Sequence, residues 1–124
     1  MKLFLIAVHF LFSTAQNAVS QSFDKGFAAY MVGNYPQAII EWRHKASFGS
    51  ATAMANLGNM YEVGAGVKQD KVLAHQWYNL AASNGDVVAR KKKQNLEKNM
   101  TVLQISSARI LAKKCMISGY LDCD

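Results

Sequence analysis

Long apolar runs are absent from this sequence of 124 residues, since none approaches the roughly 20 residues that a membrane-spanning helix needs. Glutamate is scarce: the three in the chain are too few for a di-iron bundle, which uses two Glu-x-x-His pairs and two further carboxylates. No segment shows the alternation of a strand. The length excludes a large multidomain enzyme, and 51% hydrophobic with 18% charged residues excludes long-range disorder. The sequence therefore predicts one helical domain around a single core.

The N-terminus has the layout of an export signal. Lys2 precedes an apolar run over 3–12, and a small, polar stretch follows. Cleavage after Ser20 would leave small residues at the positions that a signal peptidase recognises, with cleavage after Ala15 as the second choice. We therefore predict a signal peptide over 1–20 and a periplasmic or secreted mature chain. An N-terminal buried helix is the alternative interpretation.

The two cysteines, Cys115 and Cys123, lie eight positions apart. Export permits a disulfide between them, and closing so short a loop contributes at most about 2–3 kcal/mol, enough to fix a tail in place. Two free thiols or a metal-binding pair are the alternatives. Two thiolates alone cannot complete a tetrahedral zinc site, and the only histidines of the mature chain, His44 and His75, lie far upstream.

The middle of the chain repeats itself. A shift of 36 residues aligns Ala38 with Ala74, Trp42 with Tyr78, Ala46 with Ala82, Gly49 with Gly85 and Ala53 with Ala89. Alanine and an aromatic residue at spacings of four share one helical face, and glycine closes a helix. The pattern predicts helices over 22–32, 35–48, 50–63, 71–83, 86–99 and 101–114. Antiparallel helix pairs with this period indicate an α-solenoid.

Local signals support these helix positions. Pro36, the only proline, suits the first turn of a helix, where its missing N–H costs nothing. Asp70 and Asp86 are predicted N-caps, and Thr101 with Gln104 is a predicted capping box. The aromatic residues are predicted to pack between helices, and His44 and His75 to be solvated or partly buried.

The second unit resembles the Sel-one-like repeat, a relative of the tetratricopeptide repeat. Its signature residues occur in order and spacing: Leu57, Gly58, Tyr61, Gly64, Gly66, Asp70, Ala74, Trp77, Tyr78, Ala81, Ala82 and Gly85. The resemblance is close over 51–89, whereas 22–49 looks like a shorter tetratricopeptide-type unit and 86–114 like a trailing helix with a capping helix.

This resemblance implies an all-α fold, a short right-handed α/α solenoid of about two helix-turn-helix repeats plus a C-terminal helix pair. The predicted repeat domain spans 21–114, and a tail with the two cysteines spans 115–124. The chain is similar to short secreted bacterial members of the family, and the resemblance implies protein-protein binding.

The catalytic motifs in the chain are incomplete. Ser22-x-x-Lys25 matches the first motif of penicillin-recognising enzymes, but their Lys-Thr-Gly and Ser-Asp-Asn motifs are missing. Gly64-x-Gly66 follows no strand and precedes no Lys-Ser/Thr, so it does not indicate a phosphate loop. We expect no catalytic residue, metal or cofactor. The alternative function is a cell-wall or β-lactam-directed hydrolase, as attributed to cysteine-rich secreted relatives, whose repeats each carry a cysteine pair that is missing here.

The C-terminal helices are strongly basic, because residues 90–114 hold eight basic side chains against Glu97 alone, a net charge of +7. This charge indicates either a solvated surface or an acidic partner: an acidic protein, an anionic envelope polymer or anionic lipid head groups. Export argues against nucleic acid as the partner. We expect the chain to be a monomer, because charge repulsion opposes end-to-end stacking.

In solenoids of the resembled kind, the first helix of each unit lines the concave face. Carrying the family's groove positions over by register gives a polar set of candidate binding residues: Thr52, Asn59, Glu62, Lys91, Asn95 and Lys98. We therefore predict that the chain acts in the bacterial envelope as an adaptor, regulator or immunity-type binder, with another protein bound in this groove or on the basic C-terminal face.

Overall fold

The computed structural model describes residues 24–124, which form six α-helices and contain no strand. The helices are α1 (Lys25–Met31), α2 (Tyr35–Ala46), α3 (Ala51–Val63), α4 (Lys71–Ser83), α5 (Val87–Glu97) and α6 (Val102–Ile117). The predicted signal peptide over 1–20 and Ser22 lie outside the described residues. Within residues 24–124, no helix is long and apolar enough to cross a membrane.

A polar side chain begins each helix by accepting a hydrogen bond from a backbone N–H that has no partner inside the helix. These N-caps are Asp24, Asn34, Ser50, Asp70, Asp86 and Thr101. The capping box predicted at Thr101 is present, since Gln104 also accepts from the Thr101 N–H over 2.9 Å. Pro36 lies in the first turn of α2, as predicted.

Two glycines shape the loop between α3 and α4. Gly64 ends α3 in the left-handed conformation, with φ of 74°. Gly66 also has a positive φ, 70°, and lies against the start of α2: a Cβ built on it would come 2.7 Å from Cβ of Tyr35. The loop can therefore pack on the preceding helix pair only because residue 66 has no side chain.

From α1 to α5, each helix packs against the next helix in the chain. α6 folds back and packs on α4. α4 is therefore enclosed by α3, α5 and α6, and its residues 74–78 are all buried. Trp42, Tyr61, Trp77 and Tyr78 are buried between helices, as predicted. This arrangement is an all-α, short α/α solenoid whose core lies around α4.

His75 differs from the solvated or partly buried state predicted from the sequence, because it is completely buried. Helical periodicity places it away from the face of α4 that packs on α3, but α5 and α6 cover its other faces. Its Nε2–H donates to Oε1 of Glu97 over 2.8 Å, since a carboxylate only accepts. Burial lowers the His75 pKa, and the charges of Lys93 and Arg109 lower it further, against the opposing effect of Glu97.

α6 extends three residues beyond its predicted end, so Cys115 lies in the helix and not in the tail. The reason is that Ala108, Ala112 and Cys115 continue one buried stripe towards α4. The disulfide between Cys115 and Cys123 is present, in agreement with the pairing inferred from the sequence.

The residues after α6 turn back across α4. Nε2 of Gln76, a buried side chain of α4, donates to the backbone carbonyl of Cys123. Asp124 forms an ion pair with Arg43 of α2, whose guanidinium also donates to the Tyr61 hydroxyl over 2.7 Å. The tail thus contacts α6, α4 and α2, which are the second helices of the three successive helix pairs.

Candidate functional site

A groove of about 320 Å³ runs across the first helices of the successive pairs, α1, α3 and α5. It is lined by Phe27 and Tyr30 of α1, Trp42 of α2, Thr52, Ala55, Asn56 and Asn59 of α3, the N-cap Asp86 of α5, and Val88, Ala89 and Lys92 of α5. The groove therefore has an aromatic end at α1, a polar centre at α3 and a charged end at α5.

The aromatic end is built on a close approach of α1 to α2. A Cβ on Gly26 would lie 2.4 Å from Nε1 of Trp42, so only glycine lets the indole pack there. The Tyr30 ring lies 5.9 Å from the Trp42 ring and 6.4 Å from the Phe27 ring, between centroids. Phe27 remains 51% exposed, which leaves an aromatic surface open to a ligand.

Asp24 fixes this end of the groove. Its carboxylate accepts from the backbone N–H of Gly26 and from Nε1 of Trp42, and it pairs with Nζ of Lys45 at 3.2 Å. Burial alone would raise the Asp24 pKa, but the Phe27 backbone N–H and Lys45 outweigh it and hold that pKa below its usual value. The carboxylate is therefore ionised at neutral pH and anchors α1 to α2.

The centre of the groove presents unused hydrogen-bonding groups. Thr52, Asn56 and Asn59 follow at spacings of four and three, so they share one face of α3. Within residues 24–124, none of these side chains forms a hydrogen bond, and the two amides offer both donors and acceptors. This face can therefore bind the polar backbone of an extended peptide.

Tyr78 supports the groove near its charged end. A Cβ on Gly58 would come 2.6 Å from the Tyr78 ring, so the glycine lets α4 approach α3 closely. The buried phenol donates to the Glu62 carboxylate, and burial followed by this hydrogen bond raises the Tyr78 pKa far above its usual value. Nζ of Lys92 lies 5.7 Å from the centre of the same ring, a cation–π contact that holds the ammonium at the edge of the groove.

The structure places the predicted binding residues in two groups. Thr52 and Asn59 line the groove, and Glu62 is half-buried beside it as the acceptor for Tyr78. The other predicted residues, Lys91 and Asn95 of α5 and its C-cap Lys98, are exposed but are not among the groove-lining residues.

Lys92 reaches the groove from α5 because of the way that helix packs. α5 packs inward through Ala89, and Lys92 is only about 60° from Ala89 around the helix, whereas Lys91 is about 160° away. The charge run over 90–93 could have pointed to Lys92. Phe27 and Tyr30 carried no comparable signal, because the shorter first unit departs from the repeat pattern.

Comparison with known families agrees with the repeat found in the sequence. The Sel1 repeat family model matches residues 51–86, which contain α3, the glycine loop and α4. Sel1 repeats generally mediate protein-protein interaction and are generally non-enzymatic. No curated protein matches the chain.

The signature residues of the matched segment have packing roles in the structure. Leu57, Ala74, Trp77 and Ala81 are buried in the core, Gly64 ends α3, and Asp70 begins α4. The chain therefore carries a Sel1 repeat, formed by α3 and α4, within an all-helical solenoid.

Proposed function

We propose that this chain is an exported protein of the bacterial envelope that binds a segment of another protein in the groove of α1, α3 and α5. The observation that carries the proposal is the composition of that groove: an exposed aromatic surface, unpaired amides and a lysine lie along one continuous depression. These groups suit a peptide: the aromatic surface accommodates an apolar side chain, the amides bond to the peptide backbone, and the lysine pairs with an anionic side chain.

The groove favours a particular kind of segment. An apolar or aromatic side chain would contact Phe27 and Tyr30, and the peptide backbone would bond to Asn56 and Asn59. A carboxylate of the partner would pair with Lys92, which has no ion pair among residues 24–124. The partner segment is therefore extended, with an acidic residue on one side of an apolar one.

Export is the second part of the proposal. It is supported by the charged, apolar and small segments that follow one another over 1–20. The Cys115–Cys123 disulfide also supports it, since disulfides persist in oxidising compartments. A binder in that compartment would serve as an adaptor, a regulator or an immunity protein.

Crosslinking from the groove tests the binding site. A photoreactive amino acid at position 59 should crosslink a partner protein in the envelope of the expressing bacterium. In matched pull-downs, Asn59→Arg, which fills the groove, and Lys92→Glu, which replaces the lysine of the groove with a carboxylate, should each reduce capture at least tenfold. Lys68→Glu makes the same charge change at an exposed loop residue and should capture as much as the parent. Equal capture by all four proteins would place the binding site elsewhere.

Mass spectrometry of the chain expressed in a Gram-negative bacterium tests export. We expect the periplasmic fraction to contain a protein that begins at Gln21. An unprocessed chain confined to the cytoplasm would contradict this part of the proposal and leave the groove test unaffected.

A further inference from the structure

The outer face of α6 carries an apolar stripe. Leu103, Ile110 and Ile117 follow at seven-residue spacing and so lie on one line along about 21 Å of helix. Their side chains are 79%, 66% and 78% exposed. α6 packs on α4 through the opposite side, which includes Ala108 and Ala112, so the stripe points away from the domain.

Basic side chains flank the stripe. Arg109 and Lys113 lie along one side of it and Lys114 along the other. Lys114 pairs with Asp122 at 2.9 Å, whereas within residues 24–124 neither Arg109 nor Lys113 forms an ion pair. The combination of this stripe with Arg109 and Lys113 is termed the α6 outer face below.

A hollow beside the stripe gives Arg109 a place to hold an anion. The hollow has a volume of about 410 Å³ and is lined by Val102, Ile105, Ser106 and Arg109. A guanidinium pairs with a phosphate through two parallel hydrogen bonds, and the Ser106 hydroxyl lies on the same wall.

We propose that the α6 outer face docks on the surface of a membrane rich in anionic phospholipid. The helix lies in the plane of the head groups, its aliphatic stripe enters the boundary of the acyl chains, and Arg109 and Lys113 pair with lipid phosphates. The net charge of +7 over residues 90–114 attracts the same end of the molecule to the bilayer from a distance.

The chemistry of the face favours a bilayer over the other possible occupants. A second copy bound α6 to α6 would bring Arg109 and Lys113 close to the same cations of its neighbour. A partner surface that is acidic throughout would satisfy the cations but would leave three large aliphatic side chains without an apolar contact. An anionic bilayer provides both a negative surface and an apolar layer within reach of one helix.

Vesicle co-sedimentation tests this proposal. The protein is used as recovered from the expressing bacterium, with the same N-terminus in the parent and all variants. At low salt, the parent should bind vesicles of equal phosphatidylglycerol and phosphatidylcholine at least tenfold more strongly than vesicles of phosphatidylcholine alone. Raising the salt to about 0.5 M should abolish most of this preference, since it screens the exposed charges.

Two double variants test the two components of the face. Ile110→Gln with Ile117→Gln should weaken binding at least tenfold, because it removes the aliphatic side chains that enter the bilayer. Arg109→Ser with Lys113→Ser should weaken binding to the anionic vesicles at least fivefold, because it removes two charges from the contact. All four residues are exposed, so the fold should persist, which circular dichroism checks.

Matched controls make the result specific to this face. Val32→Gln with Phe48→Gln replaces two apolar side chains that are each 80% exposed elsewhere, and Lys25→Ser with Lys68→Ser removes two charges elsewhere. Both controls should bind within about twofold of the parent. The proposal is overturned if the parent does not bind vesicles, or if the controls lose as much binding as the α6 variants. Loss in the charge variant alone would also overturn it, because binding would then depend on surface charge without entry of the aliphatic stripe into the bilayer.

Discussion

At the scale of single residues, the positions without a side chain decide how closely the helix pairs approach. Gly66 and Gly33 have nearly the same positive φ, 70° and 77°. They differ in their surroundings: a Cβ at 66 would press on Tyr35, whereas a Cβ at 33 would meet nothing within 4 Å. Substitutions at Gly33 and Gly66 therefore distinguish the cost of a strained backbone from the cost of a steric clash.

We predict that Gly66→Ala destabilises the fold more than Gly33→Ala. Each change places a side chain in the left-handed region, at a cost of about 1–2 kcal/mol. At 66, the contact with Tyr35 adds about 1–3 kcal/mol of overpacking. Urea unfolding of both variants measures the difference, and equal midpoints would show that the loop can move away from α2.

His75 makes stability depend on pH. Its pKa in the folded chain lies below the ordinary 6.5, chiefly because burial disfavours the charged ring. The unfolded chain therefore binds more protons near pH 6, and the free energy of unfolding should fall as the pH falls from about 7 towards 5. Urea unfolding across this range measures the slope.

Two histidine variants isolate this effect. His75→Gln should flatten the slope between pH 7 and 5, since glutamine does not titrate there. His44→Gln, at an exposed position, should leave the slope unchanged. A parent slope that survives in His75→Gln would assign the pH dependence to other groups.

At the scale of helices, local signals predicted some elements completely. α4 runs over 71–83, as predicted, because Asp70 begins it and the glycine turn after residue 83 stops it. The register of α3 also placed Thr52 and Asn59 in the groove, because the Sel1 signature fixes the side of α3 that packs on α4.

The helices beyond the signature were predicted less well, because their orientation depends on contacts between helices. The rotation of α5 follows from its packing on α4 through Ala89 and Leu96, and it presents Lys92 instead of Lys91 to the groove. The burial of His75 depends on α6 folding back over α4, a contact for which the chain near residue 75 carries no signal.

The disulfide should stabilise the end of α6 and the tail. Reduction, or Cys123→Ser, should lower the free energy of unfolding by about 2–3 kcal/mol, as expected for closing a loop between residues eight apart. Denaturant unfolding with and without reductant measures the change. A Cys115→Ser, Cys123→Ser variant should not respond to reductant. An unchanged midpoint for the reduced parent would mean that the contacts of Gln76 and Arg43 with the tail are sufficient.

At the scale of the whole molecule, charge is unevenly distributed along the solenoid. The basic residues concentrate in α5 and α6, at one end of the helix order. We predict that the protein in solution has the molar mass of one chain over a hundredfold range of concentration, because stacking at this end would bring like charges together. Light scattering at low and moderate salt measures the mass, and an increase with concentration would show self-association.

The enclosure of α4 also has a consequence for motion. α4 is in contact with three helices, whereas α1 has seven residues and packs mainly on α2. The free energy of local opening is therefore lowest at α1 and highest at α4. Backbone amides should exchange with deuterium fastest in α1 and slowest in α4. The two ends of the groove then differ in stiffness: the aromatic wall on α1 can adjust to the shape of a ligand, while the Tyr78 ring that lies below Lys92 belongs to the most protected helix.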